Sequence, residues 1–404
     1  MKKIVALILT LALCLGVAGS LAAEPVAKEN IKLGVITLHD EDSTYDRNFI
    51  ESAKAAAEAL GLSEDQLVFK KNIPEGGECY EAAMDLVDDG CTLIFADSFG
   101  HESYLQQAAA EAPNVQFCHA TGTNAHVAGP ENFHNAFASI YEGRYLAGVA
   151  AGLKLKEIQE AGQLKGEVPM IGYVGAFTYA EVISGYTSFY LGAKSVCPDV
   201  LMKVQFTGSW YDEKGERDAA NALIDAGCDL ISQHADSMGA PTACEDKNIP
   251  NISYNGTTVD SCPNTFIVAS LIDWSPYFQY IVNQQMAGEA IATDWTGTVE
   301  TGSVRLTAVN EKAAAANTAA TLEAVMAELK AGTRHVFDTA TEGFITVGGA
   351  ALGEDWRPGE ATDGSFVEGT KIVYDGYFHE SEYRSAPYFD VMIDGIEVQG
   401  DMKF

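Results

Sequence analysis

The feature that most constrains the fold of this chain is a regular alternation of short apolar segments with amphipathic helical segments. Residues 31–38 and 91–98 have the continuous apolar character of buried strands, and residues 48–61 place apolar side chains at helical spacing. The same alternation starts again at 168–176 and continues through 228–236. Strict alternation predicts parallel strands covered by helices on both faces. We therefore expect an α/β protein with two doubly wound parallel-sheet lobes.

The remaining segments complete two series of strands and helices. Further strands are predicted at 66–73, 114–122, 201–210, 251–256 and 264–274, and further helices at 79–90, from 102, at 180–196, at 213–226 and from 275. Residues 133–158 are interpreted as one long helix that leads into the second lobe. The predicted lobes are 31–138 plus 266–296 and 139–265 plus 297–404. Repeated crossing between lobes makes a hinge, and closure of a hinge can bury a ligand.

The N-terminus has the layout of an export signal. Two lysines precede an apolar run at 4–17, and small residues follow up to Ala23, which predicts a signal peptide at 1–23. The apolar run is too short to span a bilayer stably. Cys14 could accept a lipid, but a leucine precedes it where a lipoprotein signal has a small residue. We expect an exported protein, in the periplasm or at the outer face of the cell membrane, with a lipid anchor as the alternative.

Charge and cysteine content exclude several classes of partner. The chain has 25 Lys and Arg against 57 Asp and Glu, a formal net charge of −32, which repels nucleic acid and anionic lipid. Seven cysteines remain after the predicted cleavage, an odd number, and none has CxxC spacing. We therefore expect no metal site and no cofactor. Cys244 and Cys262 form the pair most favoured for a disulfide.

The candidate binding site lies in the loops that follow the strands, because open parallel sheets bind ligands at the carboxyl ends of their strands. These loops are at 39–46, 97–100, 176–181, 209–212, 234–237, 254–257 and 271–274. Aromatic, amide and carboxylate side chains recur in them, whereas Arg and Lys are almost absent apart from Arg47. A phosphate or carboxylate ligand calls for Arg or a helix N-terminus. The loops therefore favour a flat, neutral, nitrogen-bearing heterocycle.

Eleven residues in or beside these loops are candidate ligand contacts. The aromatic candidates for stacking on a planar ring are Tyr45, Phe99, Phe177, Trp210 and Trp274. The polar candidates are Asp46, Ser98, Glu181, Asp236, Asn255 and Asp273. Asn255 can present a donor and an acceptor to adjacent ring nitrogens, as Asn does when it reads adenine in DNA.

Several candidates also have an ordinary structural interpretation. Asn255 precedes a glycine, and Asn-Gly is a strong turn signal. Asp236 can cap a following helix, and Glu181 can stabilise the N-terminus of its own helix. His234 is expected to orient a neighbouring side chain rather than touch the ligand. The acidic segment 39–46 lacks the spacing of an EF-hand, so a calcium site is not expected there.

Seven stretches of the chain resemble a known family. FADSFGHE, FCHATG, YEGRYLAGVAAG, GYVGAF, FYLGAKSVCPDV, SQHADS and DWSPYF are similar to segments of the basic membrane protein (BMP) family of ABC-transporter solute-binding proteins. The resemblance runs from about residue 31 to the end of the chain. It implies a type I periplasmic-binding-protein fold, a purine-related ligand and an ABC permease in the membrane as partner. We expect a monomer.

Two features of the resemblance bear on the ligand. DWSPYF and the C-terminal stretch TEGFITVGG…YFDVMIDGIE are most similar to the branch associated with the free base adenine. Nucleoside-binding members have a lysine and an aspartate after the later strands of the second half, whereas the corresponding loops here, YNGT and LIDWSPYF, contain no lysine. The resemblance therefore favours adenine, with a purine nucleoside as the alternative.

Two other classes of function remain as alternatives to transport. A purine deaminase needs a cluster of His or Cys zinc ligands beside a Glu, and no such spacing occurs in the sequence. A nucleoside hydrolase needs a dense Asp cluster near its first strand, to which residues 39–46 are the nearest approach. We expect a binding protein without catalytic activity. A receptor that passes its signal to a membrane kinase or chemoreceptor has the same sequence features as a transport receptor.

Overall fold

The computed structural model describes residues 24–357 and 369–400. The predicted signal peptide at 1–23, with Cys14, lies outside the described residues. No α-helix within the described ranges is both long and apolar enough to cross a membrane. Within the same ranges, no three His, Cys, Asp or Glu side chains are grouped so that they could hold a metal ion.

Strands and helices alternate through most of the chain. The strands are β1 (Leu33–Ile36), β2 (Leu67–Lys70), β3 (Leu93–Ala96), β4 (Gln116–Ala120), β5 (Phe133–Ala138), β6 (Met170–Gly175), β7 (Leu201–Phe206), β8 (Leu230–His234), β9 (Asn251–Tyr254), β10 (Phe266–Ile272), β11 (Asp294–Gly297), β12 (Val304–Leu306), β13 (Thr346–Val347), β14 (Ala350–Ala351), β15 (Val373–Tyr374), β16 (Tyr377–Phe378) and β17 (Ile396–Gln399). The α-helices are α1 (Thr44–Leu60), α2 (Gly77–Asp88), α3 (Glu102–Glu111), α4 (Ala125–Ala128), α5 (Ile140–Glu160), α6 (Ala180–Val196), α7 (Glu213–Asp225), α8 (Gly239–Lys247), α9 (Ser275–Ala287) and α10 (Thr318–Lys330).

Two large sheets organise the described residues into two lobes. The first sheet has the strand order β11-β5-β4-β3-β1-β2, and all its neighbouring strands are parallel. The second sheet has the order β12-β10-β9-β8-β6-β7-β17 and is parallel except where β12 pairs with β10. Because each crossover helix returns the chain to the same edge, the carboxyl ends of the parallel strands gather on one side of each sheet. The predicted fold class is confirmed.

Two boundaries differ from the sequence prediction. Residues 133–138 are not the start of a long helix but strand β5, which is buried along its whole length between β4 and β11. Residues 266–272 were assigned to the first lobe, whereas β10 pairs with β9 and β12 in the second sheet. In both cases the structure is determined by pairing between strands that are distant in sequence, which a local pattern does not reveal.

The chain crosses between the lobes at three places, and these crossings are bonded to one another. They lie at residue 139, at 273–274 and at 298–303. The Ser139 amide donates to the Gly297 carbonyl at 2.7 Å, and the Asp273 amide donates to the Ser303 carbonyl at 2.7 Å. These bonds hold the three crossings together as the predicted hinge.

Helices α5 and α6 of the second lobe pack unusually close. A Cβ atom added to Gly148 would lie 2.0 Å from the carbonyl oxygen of Phe189, and one added to Gly192 would lie 2.0 Å from that of Tyr145. A side chain at either position would therefore force the helices apart. Gly148 and Gly192 therefore allow this approach, and the first turn of α6 reaches the slot through Glu181.

The seven cysteines between residues 79 and 262 are buried and free. The predicted Cys244–Cys262 disulfide is therefore absent from the structure. Burial raises the pKa of each of these two thiols, that of Cys262 to about 11. The cysteines act as small apolar side chains of the core.

Candidate functional site

A narrow cavity lies between the two lobes at the carboxyl ends of their strands. We refer to this cavity, which has a volume of about 400 Å³, as the slot. Its lining residues are Leu38, His39, Tyr45, Asp46, Ser98, Phe99 and Thr121 from the first lobe and Glu181, Trp210, His234, Asp236 and Tyr254 from the second.

Seven of the eleven predicted site residues line this slot. They are Tyr45, Asp46, Ser98, Phe99, Glu181, Trp210 and Asp236. They reach it from the loops after β1, β3, β7 and β8 and from the first turns of α1 and α6. The rule that ligands meet the carboxyl ends of parallel strands brings these residues together.

Trp274 and Asp273 do not line the slot, and their predicted role is corrected. The Trp274 side chain is 1% exposed and stacks on Phe49 in the core of the first lobe, with ring centroids 4.4 Å apart. Asp273 forms an ion pair with Arg305 at 2.8 Å and accepts from the Ser275 amide. Both residues lie at a hinge crossing, so the loop after β10 leaves the second lobe instead of lining the cleft.

Phe177 and Asn255 lie one layer behind the slot. Phe177 makes an edge contact with Trp210, with ring centroids 5.0 Å apart. Asn255 has the left-handed backbone conformation, with φ of 60°, that its Asn-Gly turn predicts. The Asn255 carbonyl accepts from Asn48 Nδ2 of the first lobe at 2.9 Å. Neither residue is among those that line the slot, although Asn255 Nδ2 is buried and has no hydrogen-bond partner among the described residues.

Aromatic and hydrogen-bonding contacts join the lobes across the cleft. Phe99 of the first lobe stacks on Tyr179 of the second, with ring centroids 4.5 Å apart and an interplanar angle of 19°. Tyr179 stacks in turn on Phe177. The backbone amide of Thr44 donates to the Asp236 carbonyl at 3.2 Å. The lobes thus touch on both sides of the slot.

The carboxyl groups of Asp46, Glu181 and Asp236 line the slot. The surroundings of Asp46 and Asp236 shift their pKa values in opposite directions. Burial, together with the negative charges of Asp46, Glu216 and Glu181, raises the pKa of Asp236 well above its usual range. Burial also opposes ionisation of Asp46, but hydrogen bonds from His39 and Ser43 lower its pKa overall. Asp46 therefore ionises more readily than Asp236.

The structure adds five lining residues that were not among the candidate contacts. They are Leu38, His39, Thr121, His234 and Tyr254. The Tyr254 hydroxyl is buried and has no hydrogen-bond partner among the described residues, and Tyr254 lines the slot. His234 Nε2 lies 2.9 Å from Glu181 Oε1, which matches the expectation that His234 orients a neighbour. Tyr254 directly precedes Asn255 in the YNGT loop, so its position after a strand could have identified it as a candidate contact.

A second cavity adjoins the slot and shares Phe99, Thr121 and Glu181 with it. Hydroxyl and amide side chains line much of its remaining wall: Ser103, Thr123, Asn124 and Thr178. Arg384, Ala386 and Pro387 of the C-terminal segment close one side. The stacked rings of Phe99 and Tyr179 also line this second cavity.

A family model and several similar proteins identify the family of this chain. A family model described as ABC transporter substrate-binding protein PnrA-like matches residues 33–331. A purine-binding protein of Brucella abortus is 35% identical over 255 residues, which cover 62% of this chain and 68% of that protein. An ABC transporter nucleoside-binding protein of Lactococcus lactis is 26% identical, over 56% of this chain and 61% of its own length.

One similar protein is named for a different ligand, and two solved structures support the fold alone. A putative ABC transporter glucose-binding protein of Haloferax volcanii is 33% identical over 52% of this chain and 50% of that protein. Solved solute-binding proteins of ABC transporters from Conexibacter woesei and Aeropyrum pernix match with TM-scores of 0.60 and 0.63 and identities of 19% and 15%. They cover 76% and 78% of this chain and 98% and 94% of their own chains.

Proposed function

Because this chain belongs to the Bmp family of ABC transporter substrate-binding proteins, we propose that its inter-lobe slot captures a purine base, with adenine preferred. The family that the sequence motifs predicted is confirmed. In this proposal the protein is exported. Its two lobes close on the purine, and the closed form docks on the permease of an ABC importer. The protein acts as a monomer that requires no cofactor.

The observation that carries the proposal is the chemistry of the slot walls. Phe99 and Trp210 line the slot from opposite lobes, and a flat ring stacked on either would gain about 0.5–1.5 kcal/mol per contact beyond its burial. Glu181 and Asp236 offer acceptors for the N–H groups at the edge of a purine. The residues that line the slot include no Arg or Lys, which an anionic ligand would require.

A purine nucleoside is the second candidate, and the adjoining cavity favours it. That cavity shares Thr121 and Glu181 with the slot and has a wall rich in hydroxyl groups. A ribose attached to the base could extend into it. The two candidates differ in affinity order rather than in the residues that stack on the base.

Calorimetric titration of ligand-free protein tests the proposal. We expect adenine to bind with a dissociation constant in the micromolar range or tighter, about −8 kcal/mol, and more tightly than adenosine. Trp210→Ala should weaken adenine binding at least tenfold, because one face of the ring loses its partner. Tighter binding of adenosine would favour the nucleoside candidate, and binding of D-glucose without any purine would contradict the proposal.

We also propose that the protein binds its ligand without converting it. Incubation with adenine or adenosine, followed by chromatography of the small molecules, should return the ligand unchanged. Hypoxanthine, inosine or free ribose formed faster than in a protein-free control would contradict this part of the proposal. The Asp46→Asn variant separates the alternatives further, since a hydrolase would lose turnover whereas a receptor would lose affinity.

A further inference from the structure

Arg144 is a buried cation behind the wall of the slot. Its side chain on α5 is 0% exposed, and its Nη2 atom donates to Tyr173 Oη at 2.8 Å and to Ser232 Oγ at 2.9 Å. All of the hydrogen-bond acceptors that the described residues offer it are neutral oxygens. A buried charge without a carboxylate partner is costly, so its position calls for a role.

The Arg144 contact determines which way the Tyr173 hydroxyl donates. A guanidinium can only donate, so Tyr173 Oη accepts from Arg144 and keeps its own proton for another acceptor. His234 Nδ1 lies 3.4 Å from Tyr173 Oη. With Nδ1 acting as the acceptor, the imidazole carries its proton on Nε2, which lies 2.9 Å from Glu181 Oε1. The hydrogen bonds thus run in one direction from Arg144 to Glu181.

The imidazole of His234 is also held in place on its faces. A Cβ atom added to Gly185 would lie 2.5 Å from His234 Nδ1, so the ring packs directly on the backbone of α6. The Tyr254 ring lies near it, with centroids 4.4 Å apart. Glu181 and Gly185 are four residues apart on α6 and therefore share one face of the helix. A glycine at 185 leaves the space that the imidazole needs to reach Glu181.

We propose that Arg144, Tyr173 and His234 form a relay that fixes Glu181 as a hydrogen-bond acceptor in the slot, so that the site selects 6-amino purines over 6-oxo purines. The inference rests on the proposed function and specifies its ligand class. With Oε1 bonded to His234, the carboxylate of Glu181 can only accept a hydrogen bond from the ligand. The amino group of adenine donates, whereas the carbonyl oxygen of hypoxanthine or guanine would face a negative charge.

The magnitude follows from the cost of a mismatched buried polar pair. An unsatisfied buried group costs about 1–3 kcal/mol, which corresponds to roughly 5- to 150-fold in affinity. We therefore expect the unaltered protein to bind adenine at least tenfold more tightly than hypoxanthine. Arg144, Tyr173 and His234 act as positioning residues, since Glu181 is the member of the relay that meets the ligand.

The test combines selectivity with the tautomer of His234. In protein labelled with ¹⁵N-histidine, the His234 signals, assigned by their loss in His234→Gln, should show the proton on Nε2. Tyr173→Phe removes only the hydroxyl that bonds Nδ1, so we expect a mixture of tautomers and a fall of at least fivefold in the ratio of adenine to hypoxanthine affinity.

Two control variants separate the relay from general disturbance of the core. Tyr186→Phe removes a neighbouring buried hydroxyl that contacts the Met392 sulfur, and Ser232→Ala removes another partner of Arg144. Both should keep the tautomer and the affinity ratio. A proton on Nδ1 in the unaltered protein, or an unchanged ratio in folded Tyr173→Phe, would overturn the relay. Failure of every purine to bind would overturn the proposed function and the selectivity claim, while the tautomer spectra would still decide whether the relay exists.

Discussion

The Tyr254 hydroxyl, at the end of a strand that borders the slot, is buried and has no partner within residues 24–357 and 369–400. A buried hydroxyl left unpaired costs free energy in the ligand-free protein, and a ligand that bonds it recovers that cost. This contact was not identified from the sequence because the direction of a side chain at a strand end depends on the phase of the pleat. His39 lies three residues beyond the end of β1, where the course of the loop decides which side chains face the cleft.

We expect Tyr254→Phe to weaken adenine binding by about 1–2 kcal/mol, roughly 5- to 30-fold, because the hydroxyl can no longer bond the purine. The thermal stability of the ligand-free protein should stay the same or rise, since an unpaired polar atom is removed. Titration calorimetry and a melting curve measure both quantities. Tyr104→Phe, on α3 in the first lobe, is the control, and a Tyr254→Phe protein with unaltered affinity would remove the hydroxyl from the site.

Trp274 illustrates the opposite error, a residue placed in the site because of its residue type and its position after a strand. We expect Trp274→Ala to lower the free energy of unfolding by about 3–5 kcal/mol, because it opens a cavity among Phe49 and the other core rings. The folded fraction should bind adenine within about twofold of the unaltered protein. Denaturant unfolding and titration check this, and a stable Trp274→Ala protein that fails to bind would restore the tryptophan to the site.

At the scale of elements, the close crossing of α5 and α6 positions both ends of the Arg144–Glu181 relay. Arg144 lies in the first turns of α5 and Glu181 in the first turn of α6. Their separation depends on the glycines at the crossing, which admit no side chain. A change at the crossing should therefore alter both stability and binding.

We expect Gly148→Ala to lower the free energy of unfolding by about 1–3 kcal/mol or more, because its Cβ would lie 2.0 Å from the Phe189 carbonyl oxygen. Affinity for adenine should fall as the helices separate. Gly166→Ala is the matched control, since a Cβ there meets no atom closer than 3.9 Å. Equal stabilities of the two variants in denaturant would contradict this account of the crossing.

The sequence predicted most elements because hydrophobic periodicity is a local property. The failures were non-local: residues 133–138 continue into α5 without a glycine or proline between them, so only pairing with β4 and β11 identifies them as a strand. The sheet to which β10 belongs likewise depends on its partners, β9 and β12. Seven site residues were predictable because strand order does not affect which end of a parallel strand faces the cleft.

For the whole molecule, buried carboxyl groups couple stability to pH. Burial raises the pKa of Glu142 and Glu216 to about 7 and that of Glu380 to about 8. Each group binds a proton in the folded state at pH values where the unfolded chain has lost it. Each of these carboxyl groups therefore lowers stability as the pH rises from about 5 toward its folded-state pKa, by about 1.4 kcal/mol per pH unit while it is fully protonated. Buried His101 and His134, whose pKa burial lowers to about 4, oppose this trend below about pH 6.5.

We expect the melting temperature to be higher at pH 5.5 than at pH 8, and Glu380→Gln to reduce this difference. The side-chain amide oxygen of that variant would still accept from the Tyr388 and Phe389 amides, but no proton would be lost as the pH rises. Glu51→Gln, which removes an exposed negative charge on α1, is the control for net charge. A melting temperature that rises between pH 5.5 and 8 would contradict the assignment.

The aromatic contacts at the mouth of the slot have an optical consequence. Of the four tryptophans in the sequence, all within the described ranges, Trp210 is the one that lines the cavity. Trp274, Trp295 and Trp356 pack against rings inside a single lobe or along the C-terminal segment. A base stacked on the Trp210 indole would quench its emission, while the other three supply a steady background. The intrinsic fluorescence of the unlabelled protein would thus follow cleft occupancy in real time, including in a stopped-flow instrument.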